Sequence, residues 1–136
     1  MLKYTLVHPP LLSALATAGH GSMIMIADGN YPYSTMRSPG SELVHLNLRP
    51  GLLDVPEVLR VIQDATNFES AVVMDPEGAP ADAHEEYRRI LGPDVPMRAV
   101  ERFAFYELVR SPDVGLVIAT GDRRLYANLL LTVGLR

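Results

Sequence analysis

The sequence contains no cysteine, which excludes disulfides, thiolate zinc sites, iron–sulfur clusters and cysteine nucleophiles, and fits a reducing compartment. Positive charge is also scarce. Twelve Lys and Arg stand against 16 Asp and Glu for a net charge of -4, and no basic cluster has the density of a nucleic-acid footprint. Long apolar runs are missing as well. None approaches the length of a membrane span, and Met1 to Val7 ahead of His8-Pro9-Pro10 is too short for the core of a signal peptide. These absences predict a cytoplasmic protein with no nucleic-acid or membrane partner. Three chemical signatures are absent too: the Gly-x-Ser-x-Gly elbow, the Gly-x-Gly-x-x-Gly fingerprint and the His-Glu-x-x-His pair. Serine-hydrolase, dinucleotide and zinc-protease readings lose their usual support.

What is present is enough to fold. With 136 residues, 48% hydrophobic and 21% charged, the chain has the size and composition of one globular domain, spanning 1–136. His8-Pro9-Pro10 opens a helix, since proline suits the first helical turn, and Gly19 is placed to end it in a left-handed conformation. Met23 to Ala27 is an apolar run of buried-strand length. The stretch Asp28 to Ser41 carries turn residues with Tyr31 and Tyr33, which points to a surface loop beside a pocket. Glu42 to Leu48 predicts a strand, and Asp54 caps a helix that contains Pro56 and runs to about Asp64. Ser70 to Met74 and Val114 to Ala119 are further apolar strands. Asp82 to Leu91 reads as an exposed helix ended by Gly92-Pro93, and Glu101 to Arg110 as another that stops before Pro112. A final strand is expected over Tyr126 to Val133. Alternating strands and helices predict an α/β layered fold with sites in the loops at strand ends.

Three segments combine groups suited to chemistry. Gly19-His20-Gly21-Ser22 lies between a helix end and a strand that releases Asp28 and Asn30 at its far end. His20 is either a proton carrier or an ordinary polar residue in a cap turn. Glu101-Arg102-Phe103-Ala104-Phe105-Tyr106-Glu107 joins charge to aromatic surface. Phe103 and Tyr106, three apart, share a helical face and read as core, while the guanidinium of Arg102 suits hydroxyl or carboxylate recognition. In Thr120 to Asn128, Tyr126 and Asn128 are two apart and would share one face of a strand, which suits hydroxyl recognition unless they are merely polar edge residues. Four histidines are present, but Asp82-Ala83-His84-Glu85-Glu86 puts His84 off the face of Asp82 and Glu86, so no metal set is predicted.

Taken in order, Gly19-His20-Gly21 with Ile26-Ala27-Asp28, then Glu101 to Glu107, then Ala119-Thr120-Gly121 with Tyr126-Ala127-Asn128, resemble the D-ribose pyranase and L-fucose mutarotase family across nearly the whole chain. The arginine-containing aromatic motif is more like the L-fucose mutarotase branch. The resemblance implies a cofactor-independent, metal-independent isomerase acting on a monosaccharide, with His20 as the catalytic residue. It implies that Asp28, Arg102, Tyr126, Ala127 and Asn128 bind the substrate. It also implies a ring-shaped homo-oligomer, commonly a decamer of two pentamers, with active sites near subunit contacts. The sequence departs from the family where Ser22 and Met23 replace an acidic pattern, and where Ala127 replaces a common glycine. Those departures raise a second expectation, a non-catalytic monosaccharide-binding or transport-associated module on the same fold.

Overall fold

The computed structural model describes residues 1–136. Four helices and six strands follow one another as α1 (Pro9–Thr17), β1 (Met23–Ala27), β2 (Glu42–His45), α2 (Val55–Gln63), β3 (Phe68–Met74), α3 (Asp82–Leu91), β4 (Met97–Val100), α4 (Arg102–Val109), β5 (Val114–Ala119) and β6 (Leu129–Val133). All six strands form one sheet in the order β2-β5-β1-β6-β3-β4. Five run in one direction, and β6 lies antiparallel between β1 and β3. The ends of β1, β2, β3, β4 and β5 therefore meet the start of β6 along a single edge. In open α/β sheets, that carboxyl edge is where ligand sites form.

Alternation along the strands feeds two cores. Ile24 and Ile26 of β1 join Ala71, Val73, Leu129 and Leu131 beneath α2 and α3. Met25 and Ala27 point the other way and join Val72, Met74, Leu130 and, from α4, Phe105 and Val109. Both faces of the central strands are covered, which is why they read as continuous apolar runs.

Local signals set most boundaries. The ring of His8 accepts a hydrogen bond from Leu11 N ahead of the prolines of α1, Asp54 accepts from Glu57 N at the start of α2, and Glu101 accepts from Phe103 N and Ala104 N at the start of α4.

Several expectations are corrected. Gly19 is not the left-handed residue: α1 is left through Ala18 in an extended conformation, and the turn into β1 is made at Gly21, with φ +82° and its N–H on Val133 O. β2 ends at His45 rather than Leu48, because the chain there turns away to pack its next loop against Gly121. The strand β4 has no counterpart among the apolar runs of the sequence: its Met-Arg-Ala-Val stretch is half exposed at a sheet edge. α3 is not an exposed helix, since Ala83, His84, Tyr87 and Leu91 are buried along one face. β6 begins at Leu129, not Tyr126, because Tyr126 has φ +59° and cannot extend the strand. Phe103 is not core. It is 61% exposed, while Phe105 is fully buried.

Candidate active site

The site is assembled where β1 stops. Asp28, the first residue past the strand, is 2% exposed. Its carboxylate accepts hydrogen bonds from Asn30 N at 2.8 Å and from Asn128 Nδ2 at 2.9 Å, while its own N–H donates to Asn128 Oδ1 at 2.9 Å. The neighbouring donor and acceptor fix which way the Asn128 amide faces. Burial pushes the Asp28 carboxyl up to about 6, against the pull of the backbone N–H groups of Asn30, Tyr31 and Ala127.

Asp28 and Asn128 open onto a cavity of 190 Å³, also lined by Asn30, Tyr31, Met74, Arg102, Tyr106, Leu125 and Tyr126. Each wall comes from a different element at the carboxyl edge. Arg102 opens α4, and its guanidinium lies 4.9 Å from the centre of the Phe103 ring, which restrains a charge otherwise free to swing in solvent. Tyr31 is held edge-on to Phe105 and Tyr106 and donates its hydroxyl to Met36 O at 2.8 Å. Burial lifts that phenol above its ordinary range, so it stays a neutral wall. Leu125 supplies an apolar lip that is 67% exposed. A wider cavity of 490 Å³ separates Lys3–Leu6 from α1 and α2, but it lacks a comparable set of buried, converging hydrogen-bonding groups.

The loop before β6 is clasped from below. Thr120 donates its hydroxyl to Ala27 O at 2.8 Å, and Gly29 N donates to Asp122 O at 2.8 Å. Gly121 lies so close to the preceding loop that a Cβ would sit 2.4 Å from Leu52 O and 2.5 Å from Arg49 O, so only glycine fits. The Asp122 carboxylate accepts from Val55 N and from Arg124. Although burial opposes it, those bonds hold this carboxyl below its ordinary range. Next in the loop, Tyr126 takes a left-handed backbone at φ +59°, a conformation that costs a non-glycine residue about 1–3 kcal/mol. Two side chains of α3 meet it there: His84 Nε2–H donates to Tyr126 O at 2.8 Å and Tyr87 donates its hydroxyl to Ala127 O at 2.6 Å.

Of the residues expected to form the site, Asp28, Arg102, Tyr126 and Asn128 therefore line one cavity. Tyr126 and Asn128 do so from a loop rather than from one face of a strand. Ala127 is fully buried between them, its backbone N–H facing the Asp28 carboxyl and its carbonyl taken by the Tyr87 hydroxyl. His20 lies elsewhere. It precedes β1 whereas Asp28 follows it, a separation of roughly 20 Å along extended chain, and its Nε2 pairs with Glu69 Oε2 at 2.9 Å. Ser22 closes the His20 turn by accepting from Gly19 N. Met74 and Leu125 had no sequence signal marking them as cavity walls. Tyr106 did, in the aromatic motif, but its spacing read as core. Of the two loop tyrosines, Tyr31 reaches the cavity and Tyr33 accepts from Asn47 Nδ2. The acidic start of α3 does not gather ligands, because His84 turns into the core and Glu86 bonds Arg124.

The model of the RbsD / FucU transport protein family matches residues 1–136. The fucose mutarotase of Danio rerio is 36% identical over 139 residues, covering 93% of this chain and 87% of its own. The D-ribose pyranase of Pseudomonas entomophila is 30% identical over 136 residues and covers 98% of each chain. Among solved structures, the fucose mutarotase from Streptococcus pneumoniae in complex with L-fucose superposes with a TM-score of 0.82 at 26% identity, over 99% of each chain.

Proposed function

Because the chain belongs to the RbsD / FucU family, we infer that it is a sugar mutarotase, an isomerase that interconverts the anomers of an L-fucose-like monosaccharide. The observation that carries this reading is the small cavity walled by a buried Asp28–Asn128 pair, Arg102 and Tyr126. Its 190 Å³ suits a single sugar rather than a larger ligand. Carboxylate, amide, phenol and guanidinium between them offer both donors and acceptors to ring hydroxyls. Leu125 and Met74 give it an apolar side, which suits a deoxy sugar with a methyl substituent.

The chemistry asks only for proton traffic. A base takes the proton of the anomeric hydroxyl while an acid protonates the ring oxygen; the C–O bond breaks to the open carbonyl form, and closure on either face reverses the transfers. We assign Asp28, Arg102, Tyr126, Asn128 and the Ala127 backbone to sugar binding and His20 to catalysis. Glu69 orients the His20 ring from β3 and so supplies a carboxylate that the turn itself, with Ser22, does not carry.

The distance between His20 and Asp28 within one chain supports a homo-oligomer in which His20 of one copy reaches the cavity of the next, and a decamer of two pentamers is the arrangement we propose. The absence of cysteine accords with a cytoplasmic protein, and no helix is long and apolar enough to cross a membrane.

The test is anomer exchange followed by saturation-difference NMR on L-fucose, D-ribose and a small panel of other sugars. Acceleration for one sugar, lost in His20→Ala with the fold intact, establishes the activity. Saturable binding with exchange no faster than in buffer would instead make the protein a non-catalytic sugar-binding module. Co-assembly of His20→Ala with Asp28→Asn subunits tests the shared site: a randomly mixed ring regains about a quarter of its sites if each draws on two copies, and none if it does not.

A further inference from the structure

α3 buries two polar side chains that the mutarotase reading leaves unused. His84 and Tyr87 are three residues apart, so they occupy one face of the helix, and they are 5% and 0% exposed. Their rings lie 6.1 Å apart at centroids. Neither pairs with another side chain. Each spends its polar tip on a backbone carbonyl, and the two carbonyls are consecutive: Tyr126 O for His84 and Ala127 O for Tyr87. A carbonyl only accepts, so Nε2 of His84 carries a proton, and burial lowers the affinity of the ring for a second one.

The next residue along is Asn128, whose amide holds both the N–H and the carboxylate of Asp28. Hydrogen bonds from α3 thus hold the backbone of residues 126–127 immediately before the side chain that clasps the buried acid of the cavity. They act at the one place near the cavity where a non-glycine residue holds a left-handed backbone. Turned that way, Tyr126 lines the cavity instead of continuing β6.

We propose that His84 and Tyr87 are positioning residues of the sugar site, fixing through two backbone carbonyls the left-handed turn that aims Tyr126 into the cavity and seats Asn128 on Asp28. This rests on the reading of the cavity as the mutarotase site. Neither residue touches the sugar. Both act on affinity and turnover through the loop.

Tyr87→Phe removes one hydroxyl and keeps the ring, His84→Phe removes the other donor, and His84→Gln restores one. Leu91→Ala, in the same buried face of α3, serves as a control for packing loss alone. Two readouts are combined. The first is amide hydrogen exchange at Asp28, whose N–H is held by Asn128, compared with amides inside β3 and β5. The second is the split of exchange kinetics into kcat and KM. Tyr87→Phe and His84→Phe should lower protection at Asp28 at least tenfold relative to β3 and β5, lower kcat/KM at least tenfold with a raised KM, and show partial recovery in His84→Gln. Leu91→Ala should lower protection at all these amides together and leave KM unchanged.

Wild-type protection at Asp28 in both phenylalanine variants, or a loss shared equally by β3 and β5, would overturn the proposal. The exchange measurement needs no sugar. If the wild-type protein accelerates no anomer exchange, the mutarotase reading fails on that result alone, while the coupling of α3 to Asp28 is still decided by the amides.

Discussion

Asn128 grips Asp28 with both ends of a single amide, Oδ1 taking the backbone N–H and Nδ2 giving to the carboxylate, each at 2.9 Å. The two residues stand 100 positions apart and are 4% and 2% exposed. Asn128→Ala strands a buried donor and a buried carboxylate oxygen, so it should cost about 1–3 kcal/mol of stability. It should also raise the Asp28 pKa above about 6, because a bond to the charged form is lost. Denaturant unfolding and carboxyl-carbon NMR titration would check both. An unchanged midpoint would mean that the amide does not act on the acid.

The same acid makes stability depend on pH. Its ordinary value is 3.8 and burial lifts it to about 6, so between those values the folded state keeps a proton that the unfolded chain has lost. The stabilisation is full below the unfolded value and disappears as pH rises through the folded one, a change on the order of 3 kcal/mol. Asp28→Asn should therefore gain stability relative to wild type between pH 4 and pH 7 by about that amount. Urea titrations at the two pH values would show it, and a constant difference would contradict the burial of the charge.

Glycine positions discriminate the turn actually made before β1. Gly21→Ala, at φ +82°, should cost about 1–2 kcal/mol. Gly19→Ala, with open space around it, should stay within about 0.5 kcal/mol of wild type. Gly121→Ala meets two carbonyl oxygens and should lose about 3 kcal/mol or more. Thermal melts of the three variants give the order directly.

Glu69 pairs with His20 at 2.9 Å on a surface where both are about half exposed. Such a pair adds little to stability, so its effect should be on rate. Glu69→Gln is expected to leave the melting temperature unchanged and to lower kcat about tenfold. If kcat holds, the His20 ring is oriented by something else.

Arg102 offers a different balance. Arg102→Lys keeps a charge but loses the planar fork, and should raise KM about tenfold with a smaller change in kcat. A fall in kcat with KM unchanged would indicate that the guanidinium acts in the chemical step rather than in binding.

Much of the fold was legible in the sequence because local rules governed it. The Asp54 cap with Pro56 marked α2, Glu101 marked α4, and the apolar runs from Met23 and Val114 marked β1 and β5. Of the site, Asp28, Arg102, Tyr126 and Asn128 stood out by residue type and by family pattern. Other features resisted reading for physical reasons. β4 is short and half exposed, so it has no apolar signature. His84 and Tyr87 look like ordinary polar residues in a charged helix until α3 is docked. Tyr126 looks like a strand residue, because nothing local announces a left-handed backbone held from below by another element.

By itself, then, the sequence determined which stretches are helix or strand wherever caps, prolines and apolar runs act over a few residues, and which residue types were on hand for sugar chemistry. Tertiary structure alone decided that β6 runs antiparallel between β1 and β3, that Asn128 meets Asp28, and that His20 lies at the opposite end of β1 from the cavity. Strand order and loop contacts are chosen by burying both faces of the sheet and satisfying buried polar groups across long separations, and no short window of residues encodes that choice.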